Sequence, residues 1–430
     1  MNFNILTLGC KVNQYESQAM LEDMVRHGYT PSESKEIADI TIVNSCTVTS
    51  VSDAKNRKLI NKIRRANPDG IIILTGCMPQ AFPKETANFQ NCDIVLGNAK
   101  RAELIPTLEE YLAQRRVLVQ ISEHTGKNEI YENLNITSFG EHTRAFVKIE
   151  DGCNRFCSYC IIPYARGRVR SKPISDLKSE IKTVADNGYK EVVLVGINLS
   201  AYGLGEAFNL ADAVECACNT EGIERVRLGS IEPEQMDEEM INRLAKQPKF
   251  CPQFHLSLQS GCDNTLKAMN RHYTSKEYAE IVQRLRNAFS NSSITTDVMV
   301  GFAGETEEDF KQSMQFVKEI GFAKVHVFPY SQRKGTVADK APNQVPPNVK
   351  EERAKHMASL VEQSRFDFLT SQTGLVEKVL IERLRHGYLE GYTENYTPVH
   401  IPSTDESLCS TIQKVRIISA DRDFCIGELV

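Results

Sequence analysis

Three cysteines in one short stretch of the chain have the spacing of a metal-binding motif. Cys153, Cys157 and Cys160 form Cys-x-x-x-Cys-x-x-Cys directly after a predicted strand, residues 145–149. Thiolate sulfurs bind zinc or the irons of an iron–sulfur cluster. A zinc site would need a fourth cysteine or histidine from elsewhere, whereas a 4Fe-4S cluster held by three cysteines keeps one iron open for a ligand. The spacing favours the cluster.

A second set of cysteines is dispersed along the chain. Cys10, Cys46 and Cys77 each directly follow a predicted strand. Parallel strands end at one edge of a sheet, so neighbouring strands would bring these thiols together where open α/β folds build ligand sites. This predicts a second cluster; the alternative is three small residues in tight turns. The other cysteines lack chelating spacing and are interpreted as core or surface thiols: Cys92, Cys216, Cys218, Cys251, Cys262, Cys409 and Cys425.

The elements that would position the dispersed cysteines belong to a predicted α/β domain over residues 1–115. Short β-rich runs alternate there with helical patterns, which is typical of a parallel sheet covered by helices. The polar stretch 116–142, with Gly126 and Asn128, is interpreted as a linker. The predicted strands are 5–8, 40–43, 71–74 and 94–96, and the predicted helices are 15–27, 52–66 and 101–112.

The clustered cysteines fall in a larger α/β region, predicted as a domain over residues 139–370. Six strand–helix units indicate a partial (β/α)6 barrel, in which chemistry sits at the carboxyl ends of the strands. From 371 to 430, short strands separated by turns predict a small all-β barrel. The predicted central strands are 145–149, 191–195, 225–228, 254–258, 294–300 and 324–328, and the helices are 175–187, 237–245, 275–288, 306–319 and 350–369.

Composition narrows the class of protein. The chain has 430 residues, enough for about three domains, and no run approaches the ~18 apolar residues of a membrane span. No secretion signal is predicted at the N-terminus. Thirteen cysteines, an odd number, are typical of metal ligands or thiols in a reducing cytoplasm. A net charge of −5 means that any contact with nucleic acid must come from a local basic surface.

Longer stretches around the cysteines resemble the methylthiotransferases of the radical S-adenosylmethionine (SAM) superfamily. The resemblance covers essentially the whole chain, and Gly9–Ser17, GCKVNQYES, is similar to the branch that acts on N6-threonylcarbamoyladenosine in tRNA. Gly391–Tyr396 is similar to a TRAM domain. One departure is Ala303, where the family usually has proline, and it affects no ligand. Further matching stretches are Gly152–Gly167, Ser230–Pro233, His255–Gly261 and His326–Ser331.

This resemblance implies an enzyme that replaces the hydrogen on carbon 2 of an adenine next to the anticodon with a methylthio group. It implies two 4Fe-4S clusters: the one on Cys153, Cys157 and Cys160 would bind and reduce SAM to methionine and a 5′-deoxyadenosyl radical. The cluster on Cys10, Cys46 and Cys77 would hold the sulfur. Implied partners are an external one-electron donor, such as flavodoxin or ferredoxin, and a sulfur donor. The residues expected to contact SAM are Tyr159, Asn198, Ser230, Glu232, Gln259 and Asp297.

Contacts with the RNA are expected beside the clustered cysteines. The stretch 155–172 is basic without an acidic residue, and Arg166, Arg168 and Arg170 are expected to bind RNA, since arginine suits phosphates. A second basic patch, residues 55–65, is equally well interpreted as a solvated helix face. The terminal barrel has six Lys or Arg against nine Asp or Glu. Its tyrosines either stack bases or fill a core: Tyr388, Tyr392 and Tyr396.

Two further local patterns have ordinary structural interpretations. His255 lies in a predicted strand and is interpreted as a packed or hydrogen-bonded residue rather than a metal ligand. Thr306 and Asp309 have the spacing of a capping box at a helix start.

Alternative functions differ in substrate or in class. A methylthiotransferase could act on isopentenyladenosine in tRNA or on an aspartate of a ribosomal protein, and the stretch Lys11–Glu16 disfavours both. From another class, the alternative is a zinc-stabilised RNA-binding module without catalysis.

Overall fold

Three separate sets of strands follow one another along the chain. The computed structural model describes residues 1–34, 37–87, 89, 91–124, 129–140 and 143–430. The predicted linker residues Gly126 and Asn128 lie outside the described residues. No helix in the described ranges is long and apolar enough to cross a membrane.

Six strands near the N-terminus form one parallel sheet in the order β2-β1-β3-β4-β5-β6. Ile40 and Ile42 of β3 pack into the core on one face, whereas Val43 packs with Ile60 of the second helix on the other. Burial on both faces explains why these strands are continuously apolar. The strands are β1 (Asn2–Thr7), β2 (Thr30–Pro31), β3 (Ile40–Ser45), β4 (Ile71–Gly76), β5 (Ile94–Leu96) and β6 (Leu118–Gln120), and the helices are α1 (Lys11–Arg26), α2 (Ser50–Ala66), α3 (Cys77–Ala81), α4 (Pro83–Thr86) and α5 (Leu104–Gln114).

The sheet extends further along the chain than expected. Strand β6 lies inside the stretch predicted as a linker and pairs with β5. It has only three residues, and Val119 is exposed, so no alternating pattern marks it in the sequence. Within the later part of that stretch, the Tyr131 hydroxyl donates a 2.6 Å hydrogen bond to the Lys148 carbonyl, and Phe139 packs into the central core. The interpretation of 116–142 as a plain linker is therefore wrong for these described residues.

The central strands form a partial barrel with six strand positions. β7, β10 and β11 pair in parallel, as do β12, β13, β14 and β15, and only Gly229 separates β11 from β12. This confirms the predicted barrel architecture. The strands are β7 (Arg144–Lys148), β8 (Glu150–Asp151), β9 (Arg170–Ser171), β10 (Glu191–Val195), β11 (Arg225–Leu228), β12 (Ser230–Ile231), β13 (Gln253–Leu256), β14 (Ser293–Val300) and β15 (Lys324–Pro329). The helices are α6 (Ile162–Arg166), α7 (Ile174–Asp186), α8 (Leu210–Cys218), α9 (Glu238–Ala245), α10 (Asp263–Ala268), α11 (Ser275–Ala288), α12 (Glu307–Ile320) and α13 (Pro347–Ser371).

Local chemistry sets the start of one helix as expected and hides the start of another. Helix α12 begins with a capping box in which Thr306 and Asp309 bond each other's backbone amides, which confirms that prediction. Helix α1, in contrast, begins at Lys11, four positions before the predicted start at 15. The polar Asn13 and Gln14 hide this first turn from a pattern based on apolar spacing.

The last strands close into a barrel in the order β16-β17-β18-β20-β19, as predicted. It docks on the amino ends of the central strands, where two buried arginines of β11 reach its backbone. Arg225 donates to the carbonyls of Tyr392 and Lys378, and Arg227 to that of Thr393. The strands are β16 (Val376–Arg385), β17 (Tyr388–Thr393), β18 (Pro398–Pro402), β19 (Ile412–Ala420) and β20 (Cys425–Leu429).

Candidate active site

The dispersed cysteines follow three adjacent strands of the first sheet. Cys10 lies directly before α1, shortly after β1, Cys46 follows β3, and Cys77 begins α3 directly after β4. Because β1, β3 and β4 are parallel neighbours, their carboxyl ends lie at the same edge. Burial raises the pKa of Cys46 to about 11, and the nearby thiols of Cys77 and Cys10 add to the rise. The three sulfurs are therefore close enough to interact electrostatically.

Two glycines allow the strand ends that carry these cysteines to lie close together. Gly9 has φ +130°, and a Cβ there would lie 3.0 Å from the Cβ of Cys46. Gly76 has φ +95°, and a Cβ there would overlap the carbonyl oxygen of Ser45. Side chains at these positions would force the strand ends apart, so the Gly-Cys pairs serve the convergence of the thiols.

The clustered cysteines occupy the loop after the first barrel strand. The Cys153 amide donates a 3.0 Å hydrogen bond to the Gly167 carbonyl, and the Cys160 amide donates one of 2.9 Å to the Cys157 carbonyl. Burial raises the pKa of Cys160 to about 12, with Cys157 and Cys153 adding to the rise. As in the dispersed set, the three thiols lie close enough for their charges to affect one another.

Both cysteine sets fit an iron–sulfur cluster by the chemistry of their donors. In the described residues no three His, Cys, Asp or Glu side chains are arranged to hold a single metal ion. A 4Fe-4S cube has no such requirement, because each cysteine binds a different iron. Metal binding displaces the thiol protons and so offsets the raised pKa values.

A buried cluster of charges borders both cysteine sets, because Arg166 contacts Cys77 and the next residue, Gly167, accepts a hydrogen bond from the Cys153 amide. Arg166 is fully buried, its Nη1 lies 2.5 Å from Glu16 and 3.2 Å from Asp151, and its Nε donates to the sulfur of Cys77 at 3.3 Å. The interpretation of Arg166 as an RNA contact is therefore wrong, because its guanidinium is enclosed by protein. Four cations and four carboxylates form this cluster: Arg101, Lys148, Arg166, Arg170, Glu16, Glu129, Glu132 and Asp151.

The residues expected to contact SAM lie at or near the carboxyl ends of the barrel strands. Tyr159 is in the cysteine loop, and its ring contacts Phe302 edge to face at 6.3 Å. Asn198 follows β10, and its buried Oδ1 has no hydrogen-bond partner among the described residues, which leaves it able to accept one from a ligand. Ser230 lies in β12, Glu232 follows it, Gln259 bridges to β14 and Asp297 lies within β14.

Arg271, which no sequence pattern singles out, lies among the residues expected to form the site. Its guanidinium pairs with both carboxylate oxygens of Glu232, and Nη1 lies 3.4 Å from the sulfur of Cys157. It thus joins an expected SAM contact to a cysteine of the loop. Only its membership of a basic-aromatic run, Arg271–Tyr273, marks it in the sequence, and that pattern indicates no partner.

The remaining basic residues differ in how many of their side-chain groups are bonded to other protein groups. Arg170 donates to Glu129 at 2.8 Å and to the Arg166 carbonyl, so it serves the buried charge cluster. Arg168 is exposed, and its guanidinium lies 4.6 Å from the ring centroid of Phe156. In the second patch, Arg64 pairs with Asp93 at 2.5 Å.

His255 takes the structural interpretation considered for it, whereas the terminal tyrosines do not fill a core: Tyr388 is exposed, and Tyr392 and Tyr396 are half-buried. His255 hydrogen-bonds Thr295 at 3.0 Å and lies 3.4 Å from Asp297, which confirms the interpretation as a bonded histidine. Tyr392 and Tyr396 stack on each other at 4.5 Å, and Arg144 lies 5.0 Å from both rings. These two rings line the seam between the terminal barrel and the central barrel.

Comparison with known proteins agrees with this geometry. A family model described as "Radical SAM superfamily" matches residues 147–317, and one described as "Uncharacterized protein family UPF0004" matches residues 2–97. The chain is 37% identical to the threonylcarbamoyladenosine tRNA methylthiotransferase MtaB of Bacillus subtilis, over 99% of this chain and 95% of that protein. It is 34% identical to the tRNA-2-methylthio-N(6)-dimethylallyladenosine synthase of Caldicellulosiruptor saccharolyticus, over 100% and 92%.

A solved structure shares the fold. It is the radical S-adenosylmethionine methyltransferase TsrM from Kitasatospora setae, with a TM-score of 0.58 and 12% identity, covering 76% of this chain and 72% of that one. The partial barrel and its cysteine loop define a radical SAM enzyme, a class that uses a 4Fe-4S cluster and SAM. Within that class, the chain belongs to the tRNA methylthiotransferases, which transfer a sulfur-containing group.

Proposed function

We propose that this enzyme converts N6-threonylcarbamoyladenosine next to the anticodon of tRNA into its 2-methylthio derivative. The observation that carries the proposal is the pair of three-cysteine sets linked through one buried charge cluster: Arg166 contacts Cys77, and the next residue, Gly167, accepts a hydrogen bond from the Cys153 amide. The name of the Bacillus subtilis relative and the stretch Gly9–Ser17 support the threonylcarbamoyl substrate. A relative named for dimethylallyladenosine is 34% identical, so the identity values alone leave the adenine substituent to experiment.

The cysteine loop is proposed to hold the cluster that binds SAM. Cys153, Cys157 and Cys160 supply three sulfurs, which leaves one iron for SAM. With both bound, the site supplies one-electron chemistry able to remove an unreactive hydrogen from an adenine ring. Arg271 holds Glu232 beside Cys157, so the chain orients this carboxylate next to one of the proposed cluster ligands. We propose that SAM is held by Tyr159, Asn198, Ser230, Glu232, Gln259 and Asp297.

The dispersed cysteines, which follow three strand ends and are called the strand-end set from here on, are Cys10, Cys46 and Cys77. They are proposed to hold a second cluster that carries the sulfur to be transferred. Cys10 is exposed, whereas Cys77 is buried and accepts a hydrogen bond from Arg166. An exposed ligand on one side and a buried, charge-assisted contact on the other suit a cluster that is anchored in protein and open to substrate. An external one-electron donor, such as flavodoxin or ferredoxin, and a sulfur donor complete the proposed reaction.

We propose that tRNA approaches over an aromatic surface beside the cysteine loop, formed by Phe156, Tyr164 and Arg168. The rings of Phe156 and Tyr164 meet edge to face at 6.1 Å, and both are exposed. Phe156 has φ +50°, an unusual backbone conformation for a residue with a side chain. Single-stranded RNA bases stack on such aromatic and arginine groups, while phosphates bind arginine.

Substituting Arg168→Gln is expected to weaken tRNA binding and to flatten its dependence on salt. Loss of one phosphate contact lowers the slope of log K against log salt by about 1. The measurement is fluorescence anisotropy with labelled tRNA across a salt series. The matched control is Arg284→Gln, an exposed arginine on α11. Equal slopes for Arg168→Gln, Arg284→Gln and wild type would exclude this surface as a phosphate contact.

The proposed reaction is tested by anaerobic reconstitution with iron and sulfide, followed by incubation with reductant, SAM and tRNA. Matched tRNAs carry threonylcarbamoyladenosine, isopentenyladenosine or unmodified adenosine, and the nucleosides are analysed by mass. We expect a methylthio product only from the first tRNA. Product from the isopentenyl tRNA alone would reassign the substrate, and SAM cleavage without any modified nucleoside would overturn the proposed substrate while leaving the radical core.

A further inference from the structure

A cavity of about 760 Å³ lies between the partial barrel, the start of α1 and the terminal barrel. Ser230 and Asp297, two of the proposed SAM contacts, line it on the barrel side, and Tyr392 and Tyr396 line it on the terminal side. Lys11, next to Cys10, also lines it. The volume is within the range of small-molecule sites, about 300–1,000 Å³. The cavity thus adjoins both proposed cofactor sites and has room for a substituent of the target base.

The lining of this cavity carries an excess of positive charge. It contains five lysine or arginine side chains and two carboxylates, and the three arginines have protein partners. Arg144 pairs with Glu382, Arg227 lies 2.7 Å from Glu191, and Arg365 donates to the Asp423 carbonyl at 3.0 Å. The charged lining residues are Lys11, Arg144, Arg227, Lys324, Arg365, Asp297 and Asp423.

Two lysines of the lining are left without a carboxylate within ion-pair distance in the part of the chain that the structure describes. Lys11 is accessible from the cavity, and its ammonium lies 5.5 Å from the ring centroid of Phe146. Lys324 begins β15, at the amino end of the barrel strands. The two lysines therefore lie in different parts of the lining: Lys11 is next to the proposed cluster ligand Cys10 and faces the first barrel strand, β7, whereas Lys324 begins the last barrel strand, β15.

The substituent of the proposed substrate is opposite in charge to the two lysines of the cavity. A threonylcarbamoyl group ends in a carboxylate and carries a hydroxyl, whereas a dimethylallyl group is apolar and uncharged. A free ammonium in a cavity favours the first over the second. We infer that Lys11 binds the threonyl carboxylate in this cavity and thereby selects the acidic substituent. The inference rests on the proposed function and deepens it, because it assigns a specificity-determining residue to that same site.

The inference is tested by comparing two anticodon stem-loops of one sequence, with threonylcarbamoyladenosine or with unmodified adenosine, by anisotropy on the reconstituted enzyme. We expect wild type to bind the modified stem-loop about 10- to 100-fold more tightly, the range of one charge-assisted hydrogen bond. Lys11→Met is expected to remove this preference without changing affinity for the unmodified stem-loop, and Lys11→Arg to retain it. The matched control Lys311→Met, on the exposed face of α12, retains the preference.

A change in the ligand tests the same contact without altering the protein. Converting the threonyl carboxylate to a neutral methylamide is expected to lower wild-type affinity to that of the unmodified stem-loop. Retention of the preference by Lys11→Met, its loss in Lys324→Met instead, or unchanged affinity for the methylamide would overturn the inference. Iron content and SAM cleavage are measured for each variant, so that loss of a cluster is distinguished from loss of the contact.

The same experiments distinguish a failure of the proposed function from a failure of this inference. If wild-type enzyme forms no methylthio product on the threonylcarbamoyl tRNA, the substrate is wrong. If it forms product while Lys11→Met keeps full preference for the modified stem-loop, only the role of Lys11 is wrong.

Discussion

Replacing Cys153 with alanine is expected to abolish cleavage of SAM, whereas replacing Cys10 with alanine is expected to spare SAM cleavage and abolish only the methylthio product. The reason is that the two residues belong to separate cysteine sets: Cys153 lies in the loop after β7, and Cys10 follows β1. Loss of one thiolate leaves two sulfurs for a cluster that needs three. The measurements are 5′-deoxyadenosine and methylthio nucleoside formed per enzyme, with iron content for each variant.

The control for these variants is Cys409→Ala, a half-buried cysteine of the terminal barrel. It is expected to retain both products and the full iron content. Loss of SAM cleavage in Cys10→Ala with its remaining cluster intact would show that the strand-end set takes part in the first step, contrary to the proposed separation of roles.

Substituting Glu16→Gln is expected to lower the free energy of unfolding by about 3–5 kcal/mol, the cost of leaving a buried ion pair without one partner. The buried charge cluster contains equal numbers of cations and carboxylates, so the substitution leaves one uncompensated positive charge. Glu16 is fully buried and contacts Arg166 and Lys148. Because the chain contains no tryptophan, urea unfolding of the metal-free protein is followed by far-ultraviolet circular dichroism.

A glutamate-to-glutamine substitution in an exposed ion pair serves as the control for Glu16→Gln. Glu110 lies 3.0 Å from Arg116 at the surface, and Glu110→Gln is expected to cost no more than about 1 kcal/mol. Equal effects of the two substitutions would show that the interior cluster adds no more to stability than a solvated pair.

Acid is expected to reduce the stabilising effect of Glu16. Burial alone would raise the pKa of this carboxyl, but Arg101, Arg166 and Lys148 together lower it to about 2, from an ordinary value of 4.5. A carboxyl with a depressed folded-state pKa stabilises the protein above the unfolded pKa and loses this effect as pH falls toward the folded pKa. The difference in stability between wild type and Glu16→Gln is therefore expected to be constant above about pH 5 and to shrink between pH 4.5 and 2.

The sequence predicts the strands and cysteine positions well because those signals are local. A buried parallel strand is an apolar run, as in Ile71–Gly76, and a cysteine directly after it must lie at the sheet edge. The environment of an arginine is not local in this sense. Arg166 and Arg168 are two positions apart and look alike in the sequence, yet one is enclosed by Glu16 and Asp151 and the other is exposed.

Ion pairs between residues that are distant in sequence cannot be predicted for the same reason. Glu232 was expected to contact SAM, but its pairing with Arg271 depends on how β12 and the segment after α10 meet in three dimensions. The short strand β6 was missed because three residues carry no periodicity. Strand order and ion pairing follow from tertiary packing, which no single stretch of sequence displays.

The two proposed cluster sites also differ in how much of the chain must fold before their cysteines meet. Cys153, Cys157 and Cys160 lie within one loop, so their sulfurs are near one another even in an unfolded chain and can accept iron early. Cys10, Cys46 and Cys77 meet only when β1, β3 and β4 have paired, which closes long loops first. The proposed strand-end site is therefore expected to require a folded N-terminal sheet before it can bind iron, whereas the proposed site in the cysteine loop is not.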